Sequence, residues 1–232
     1  MNKRQERAYR ILDAAAALIL RWGYNKTTID DIARQAEVAK GTIYLHWKTR
    51  DDLFRALIKR EQLEMGRDFL EQITQDPMGA TIRGIYKHTA LALMKRPLLK
   101  AFLLGDKDVM GKLAQRERGS AAYAEKLAGF ESYLAILRER GLVRTDISPR
   151  AQLQVASAIF VGFLFLPPLM PDEYLLTDEE TADLIGETVQ RALESGRAVS
   201  SEDVQSISSA FMQYLDHVWP MLEEQWREEL GS

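Results

Sequence analysis

The chain reads as helix after helix. Ile11, Ala15, Leu18, Ile19 and Trp22 recur at steps of three and four and predict an amphipathic helix over about 4–22, closed by Gly23. Thr27 followed by Asp30 has the form of a helix-starting cap, with a short second helix to Gln35 that turns Ile29, Ile32 and Ala33 inward. After a tight connection at 36–39, a third short helix is expected over 40–47, and Thr49 with Asp52 opens a long fourth one to about Thr74. Further helices are expected from Pro77 to Lys95, from Pro97 toward Arg116, up to Gly141, from Pro149 under a Ser148 cap, from the Thr177/Glu180 box to Glu194, and over 201–226. No stretch sustains two-residue alternation with β-branched residues, so the expected fold class is all-α, without a sheet.

The stretch from Ala151 to Pro171 carries no charge. Its apolar part, 155–166, is shorter than the roughly 20 residues that cross a bilayer. It reads instead as a helix buried in a bundle or between two copies of the chain. The N-terminus begins with cationic residues, but Asp13 and Arg21 interrupt the apolar run, which argues against a signal peptide.

Charge adds an asymmetry that the totals hide. The 232 residues sum to −3, but residues 1–50 hold ten Lys/Arg against five Asp/Glu, whereas the rest holds 21 against 29. A basic head on an acidic body points the head at an anionic partner. The chain has no cysteine and three histidines, with no His-x-x-x-His spacing and no phosphate-cradling glycine loop. Nothing here nominates an enzyme, a metal site or a cofactor, and cysteine-free composition suits the cytoplasm.

Function concentrates in the third helix. Ile43 and Trp47, four apart, anchor it to a core. Lys40, Gly41, Thr42, Tyr44 and His46 then turn outward, and Lys48 and Arg50 follow at the mouth of the fourth helix. Hydroxyls, an imidazole and cations suit phosphates and base edges, and a glycine lets a backbone come close. Two short helices joined by a tight turn on a longer one make a helix-turn-helix.

The run from Thr27 to Ala33 and the run from Val38 to Phe54, VAKGTIYLHWKTRDDLF, resemble the DNA-binding domain of TetR-family repressors, over about residues 8–58. Trp47 stands where that family more often has Phe, and Arg50 where Lys is common. The resemblance implies an N-terminal three-helix DNA-binding domain, 1–50, and a larger helical regulatory and dimerisation domain, 51–232, with an extra C-terminal helix over 201–226. It implies DNA contacts from Thr28, Lys40, Gly41, Thr42, Tyr44, His46, Lys48 and Arg50, with Lys3 and Arg4 near the backbone. It further implies a homodimer formed through the helices near 148–166 and 177–194. The expected partners are a double-stranded DNA operator and a small apolar or aromatic ligand, with no membrane. Phe69, Tyr86, His88, Met94, Phe102, Phe130, Tyr133 and Phe160 are the expected pocket residues. The function implied is a repressor released from a palindromic operator by that ligand. The alternative is a DNA binder controlled by a partner protein, or one without a small-molecule ligand.

Overall fold

A computed structural model describes residues 2–105 and 121–231. Its helices are α1 (Lys3–Trp22), α2 (Ile29–Gln35), α3 (Lys40–Tyr44), α4 (Arg50–Gln75), α5 (Ile82–Met94), α6 (Pro97–Leu104), α7 (Ala121–Glu139), α8 (Pro149–Phe165), α9 (Asp178–Leu193) and α10 (Ser201–Gly231). Among the described residues there is no strand, only an isolated antiparallel bridge between Val143 and Glu194. The part of the expected helical stretch from 106 toward Arg116 lies outside the described residues. No described helix is long and apolar enough to cross a membrane.

The described parts of Met1–Met65, Arg96–Arg118 and Val218–Ser232 form one compact unit, and those of Gly66–Lys95 and Gly119–His217 form another. In the first, Ile11, Leu12, Ala15, Leu18 and Ile19 of α1 close over Ile32 and Ala33 of α2, Ile43 of α3, Trp47, and Leu53, Phe54 and Leu57 of α4. Trp22 is not part of this core. It is 40% exposed, beneath the Arg21 guanidinium, because Gly23 ends the helix at that residue.

Local chemistry explains the helix ends. The cap of α2 sits one residue later than the Thr27/Asp30 spacing suggests. Thr28 is the N-cap, and its hydroxyl accepts the Asp31 N–H at 3.2 Å and donates to the Asp31 carboxylate at 2.5 Å. Thr27 is fully buried and donates to the Gly23 carbonyl at 2.9 Å. The C-terminus of α2 closes with Val38 N–H on the Ala33 carbonyl and Glu37 N–H on the Arg34 carbonyl. That double bond pattern needs a left-handed residue, and Glu37 takes it at φ 54°. The helix expected from Pro77 starts instead at Ile82. The Thr81 hydroxyl caps it on Gly84 N–H, and Met78 and Gly79 fold into turns beforehand.

In the second unit, α5 and α9 meet at Gly186, where a Cβ would stand 2.6 Å from the Arg83 carbonyl oxygen. Helix α8 buries Gln152, Ala156, Phe160 and Leu164, one stripe at four-residue spacing. Its opposite stripe carries Val155 and Phe165, both exposed, and Gly162, whose absent Cβ would meet nothing within 4 Å. Exposed Leu166, Leu169, Tyr174, Leu175 and Leu176 continue this apolar surface along the loop to α9.

Candidate nucleic-acid interface

Helix α3 is short because only Lys40–Tyr44 keep helical geometry, three residues fewer than the pattern suggests. Trp47 still reaches the core, since its N–H and that of His46 bond back to the Ile43 carbonyl and continue the turn. Ile43 and Trp47 therefore hold the segment while its other side chains face outward. Gly41, Tyr44 and Lys48 are exposed, and Thr42 and His46 are half-buried. A Cβ on Gly41 would meet nothing within 4 Å. The chain itself thus gives no packing reason for glycine there, and an external surface would.

The eight expected contact residues fall into two groups. Gly41, Thr42, Tyr44 and Lys48 point outward, and Lys48 makes no ion pair among the described residues. The others already have work within the chain. Thr28 spends its hydroxyl on the α2 cap. Lys40 donates to Asp30 at 2.8 Å, a bond that raises the ammonium pKa above its ordinary value. Arg50 donates to the Thr27 carbonyl at 3.2 Å and lies 4.4 Å above the Tyr24 ring, so its planar fork is held as a staple between α1's exit and α4. Tyr24 in turn donates to Asp51.

His46 lies against Trp47, ring centroids 5.3 Å apart. Burial lowers its pKa below the ordinary imidazole value, and the positive charges of Arg4 and Arg7 lower it further. Those two arginines belong to α1, whose helix starts at Lys3 under an Asn2 cap with its Gln5 box. The basic N-terminal residues are therefore not a loose arm but one side of a helix that brings Arg4 and Arg7 near His46. Arg7 was missed in the sequence because α1 reads there only as an amphipathic scaffold. The charge run Lys3, Arg4, Arg7, Arg10 at helical spacing was the available signal.

The expected pocket residues also resolve into placements. Tyr86 packs edge-on to Phe130 and Phe160, Phe130 lies 6.2 Å from Tyr133, Tyr133 meets Phe211, and Phe211 meets Phe69. Five of the eight thus form one aromatic chain, joined by Phe211. Burial drives the Tyr86 and Tyr133 phenols well above their ordinary pKa, and the Tyr133 hydroxyl donates to the Ala80 carbonyl. His88 is buried and shares hydrogen bonds with Asp76 at 2.8 Å and Gln72 at 3.4 Å. Burial alone would raise the Asp76 pKa, but the bonds from His88 and Met78 and the nearby positive charge outweigh it and bring it down. Met94 and Phe102 are half-buried, on α5 and α6. A cleft of about 570 Å³ in the second unit is lined by Thr81, Arg83, Lys87, Leu142, Val143 and Arg197 among others, and by none of the eight. No group of three or more His, Asp or Glu side chains is placed to hold a metal among the described residues.

Residues 11–57 match the family model described as bacterial regulatory proteins of the tetR family. The fatty acid metabolism regulator protein of Bacillus subtilis is 37% identical over 76 residues, 33% of this chain and 37% of that protein. The transcriptional regulator AcrR of Shigella flexneri is 29% identical over 116 residues, 47% of this chain and 54% of that one. The chain thus matches between about a third and about half of the length of these relatives, which are named as regulators rather than enzymes. The crystal structure of NalD, described as the secondary repressor of the MexAB-OprM multidrug efflux pump in Pseudomonas aeruginosa, superposes with a TM-score of 0.60 at 20% identity. It covers 83% of this chain and 98% of that one. A crystal structure from Shewanella, titled a putative tetR family regulator, gives 0.58 at 15% identity, over 81% of this chain and 98% of that one. The helix-turn-helix is thus similar in sequence to the tetR family over residues 11–57, and the helical layout shares the fold of these two solved structures.

Proposed function

We propose that this protein is a homodimeric transcription regulator that represses from a palindromic DNA operator and is released by a small apolar ligand. The observation that carries the DNA reading is the third helix. Buried Ile43 and Trp47 present Gly41, Thr42, Tyr44 and Lys48 outward, with no side-chain hydrogen bond or ion pair among the described residues that explains them. Gly41, Thr42 and Tyr44 meet the groove, Lys48 meets a phosphate, and Thr28, Lys40, His46 and Arg50 join after giving up or sharing their present bonds. One head covers few base pairs, so two heads related by a two-fold axis read half-sites about 34 Å apart per helical turn. The outward apolar stripe of α8 and the loop 166–176 support pairing with a second copy.

Selection of binding sequences from a random duplex pool tests this. Enrichment of a palindrome, protected as two half-sites by a dimer, is the expected result. Enrichment of nothing above a non-specific background sinks the DNA reading.

The control of binding has two readings. The aromatic chain from Phe69 to Phe160 supplies the apolar, adaptable lining that suits a small aromatic ligand. The same rings fill one another's contact positions, which favours control by a partner protein or by no ligand at all. Thermal shift against a panel of apolar aromatics, followed by affinity with and without the selected DNA, separates them. Reciprocal weakening by ligand and DNA belongs to the first reading only.

A further inference from the structure

Helix α10 contributes to both compact units. Ile207 and Phe211 near its start belong to the second unit, where Phe211 touches Phe69 and Tyr133. Trp226 and Leu230 near its end belong to the first, and each is 5% exposed. There the Trp226 indole N–H donates to the Tyr9 hydroxyl at 3.1 Å, and the two rings meet edge-on at 6.1 Å. Tyr9 lies on α1, 217 residues earlier in the chain.

The other groups on that side of α1 explain why this contact matters. Asp13, one turn beyond Tyr9, pairs with the buried Arg60 of α4 at 2.5 Å. Tyr9 and Asp13 thus tie one side of α1 to α10 and α4, while Ala8, Ile11, Leu12 and Ala15 hold the other side in the core. Ahead of Tyr9 lies only the helix's N-terminal end, with Lys3, Arg4 and Arg7 exposed upon it. Among the described residues, Tyr9 makes the last side-chain hydrogen bond from α1 to another segment before that basic end. An anchored helix end keeps its cations in one place, whereas a frayed one spreads them over many conformers at an entropic cost to any later contact.

We propose that Trp226 is a positioning residue for the DNA-facing surface: through Tyr9 it holds α1 so that Arg4 and Arg7 stand beside the recognition segment. The proposal rests on the DNA-binding reading, but not all of its test does. Burial is the larger cause of the lowered His46 pKa, and the charges of Arg4 and Arg7 add to it in the protein alone. Release of α1 lets those charges drift away, and the His46 pKa then rises.

The experiment uses the full chain and its Trp226→Ala, Trp226→Phe and Tyr9→Phe variants. Proton NMR titration of His46 is run on each without DNA. Affinity is measured on a duplex of about 30 base pairs, roughly three helical turns, obtained by selection with the wild-type protein. In Trp226→Ala the His46 pKa is expected to rise and affinity to fall about fivefold or more, the low end of typical couplings between sites. Trp226→Phe keeps the ring and loses the hydrogen bond, so its loss is expected at only about twofold to tenfold, and Tyr9→Phe should match it. The double Tyr9→Phe, Trp226→Phe variant should be no worse than either single, because both remove the same bond. Unchanged His46 titration and affinity in Trp226→Ala would overturn the proposal. If Trp226→Ala does not fold, additive effects of the two phenylalanine variants, or none, overturn it equally. If the wild type selects no DNA, the DNA reading has failed, and the His46 titration still decides whether Trp226 holds α1.

Discussion

Two helical glycines mark two surfaces of opposite character. Gly41 of α3 and Gly162 of α8 each have empty space where a Cβ would go. Around Gly41 the outward residues are Lys40, Thr42, Tyr44 and Lys48, whereas around Gly162 they are Val155, Phe165 and Leu166. Gly79, Gly84 and Gly186 differ from both, since backbone atoms lie under 3 Å from their missing Cβ. Those three are glycine for the chain's own packing. Neither of the other two meets such an atom, and the chemistry beside each suits a different one of the proposed partners: a polyanion for the head, a second apolar surface for the body.

The comparison is most easily broken at Gly162. Glutamate there has room within the chain and a better helix propensity than glycine, so the monomer should fold at least as well. In a paired α8 face it buries a charge without a partner, and dimerisation should weaken at least about 30-fold, read by sedimentation equilibrium. A dimer of unchanged affinity would place the interface elsewhere. Gly41→Ala is the matching change in the head. Folding should gain up to about 1 kcal/mol in urea unfolding, while affinity for the selected duplex falls about tenfold as the added methyl meets the groove. A gain in stability with unchanged DNA affinity would make Gly41 a bystander.

Within the head, the roles of neighbouring residues can be sharpened. Lys48→Ala should weaken every sequence several-fold and reduce the log–log salt slope by about one, whereas Thr42→Ala should leave the slope intact and blur the sequence preference. Equal slopes for wild type and Lys48→Ala would remove the phosphate role. The smallest effect expected lies outside both surfaces. Asp203 accepts from the Ser200 hydroxyl and backbone N–H and pairs with Arg197, which brings its pKa down to about 2 from the ordinary 3.8. A carboxyl depressed in the folded state stabilises fully above its unfolded value and ceases to do so as pH falls toward its folded one. The stability gap between wild type and Asp203→Asn should therefore be constant above about pH 5 and shrink from there toward pH 2, with dimer and DNA affinities at neutral pH unaltered. A gap that stays constant down to pH 2 would exclude this cap.

Most of the layout was legible because it is written in local chemistry. The Ser148 cap, the Thr177/Glu180 box and the Gly23 break each act within about four residues, and each stands where the spacing puts it. The cap of α2 went one residue astray because Thr27-Thr28 and Asp30-Asp31 fit two registers equally. Burial decided for Thr28, since Thr27 is needed inside against Gly23. The outward face of α3 was legible for the same local reason, but the present bonds of Lys40 and Arg50 were not, because Asp30 and Tyr24 come from other segments. His88 reads in the sequence as a pocket residue, whereas its bonds go to Asp76 and Gln72, which no local pattern announces. The contact of Trp226 with Tyr9 had no local signal at all, with almost the whole chain between them.

Gly186 has one more effect. With no side chain there, α9 lies against α5 backbone to backbone, and the Arg83 carbonyl and the Lys87 Cβ fill the space a methyl would need. Arg83 and Lys87 then both reach the Asp183 carboxylate of α9, Lys87 at 2.8 Å. Two helices that share contact this close slide past each other only by breaking it. A displacement of α5 must therefore carry α9 with it or break these contacts.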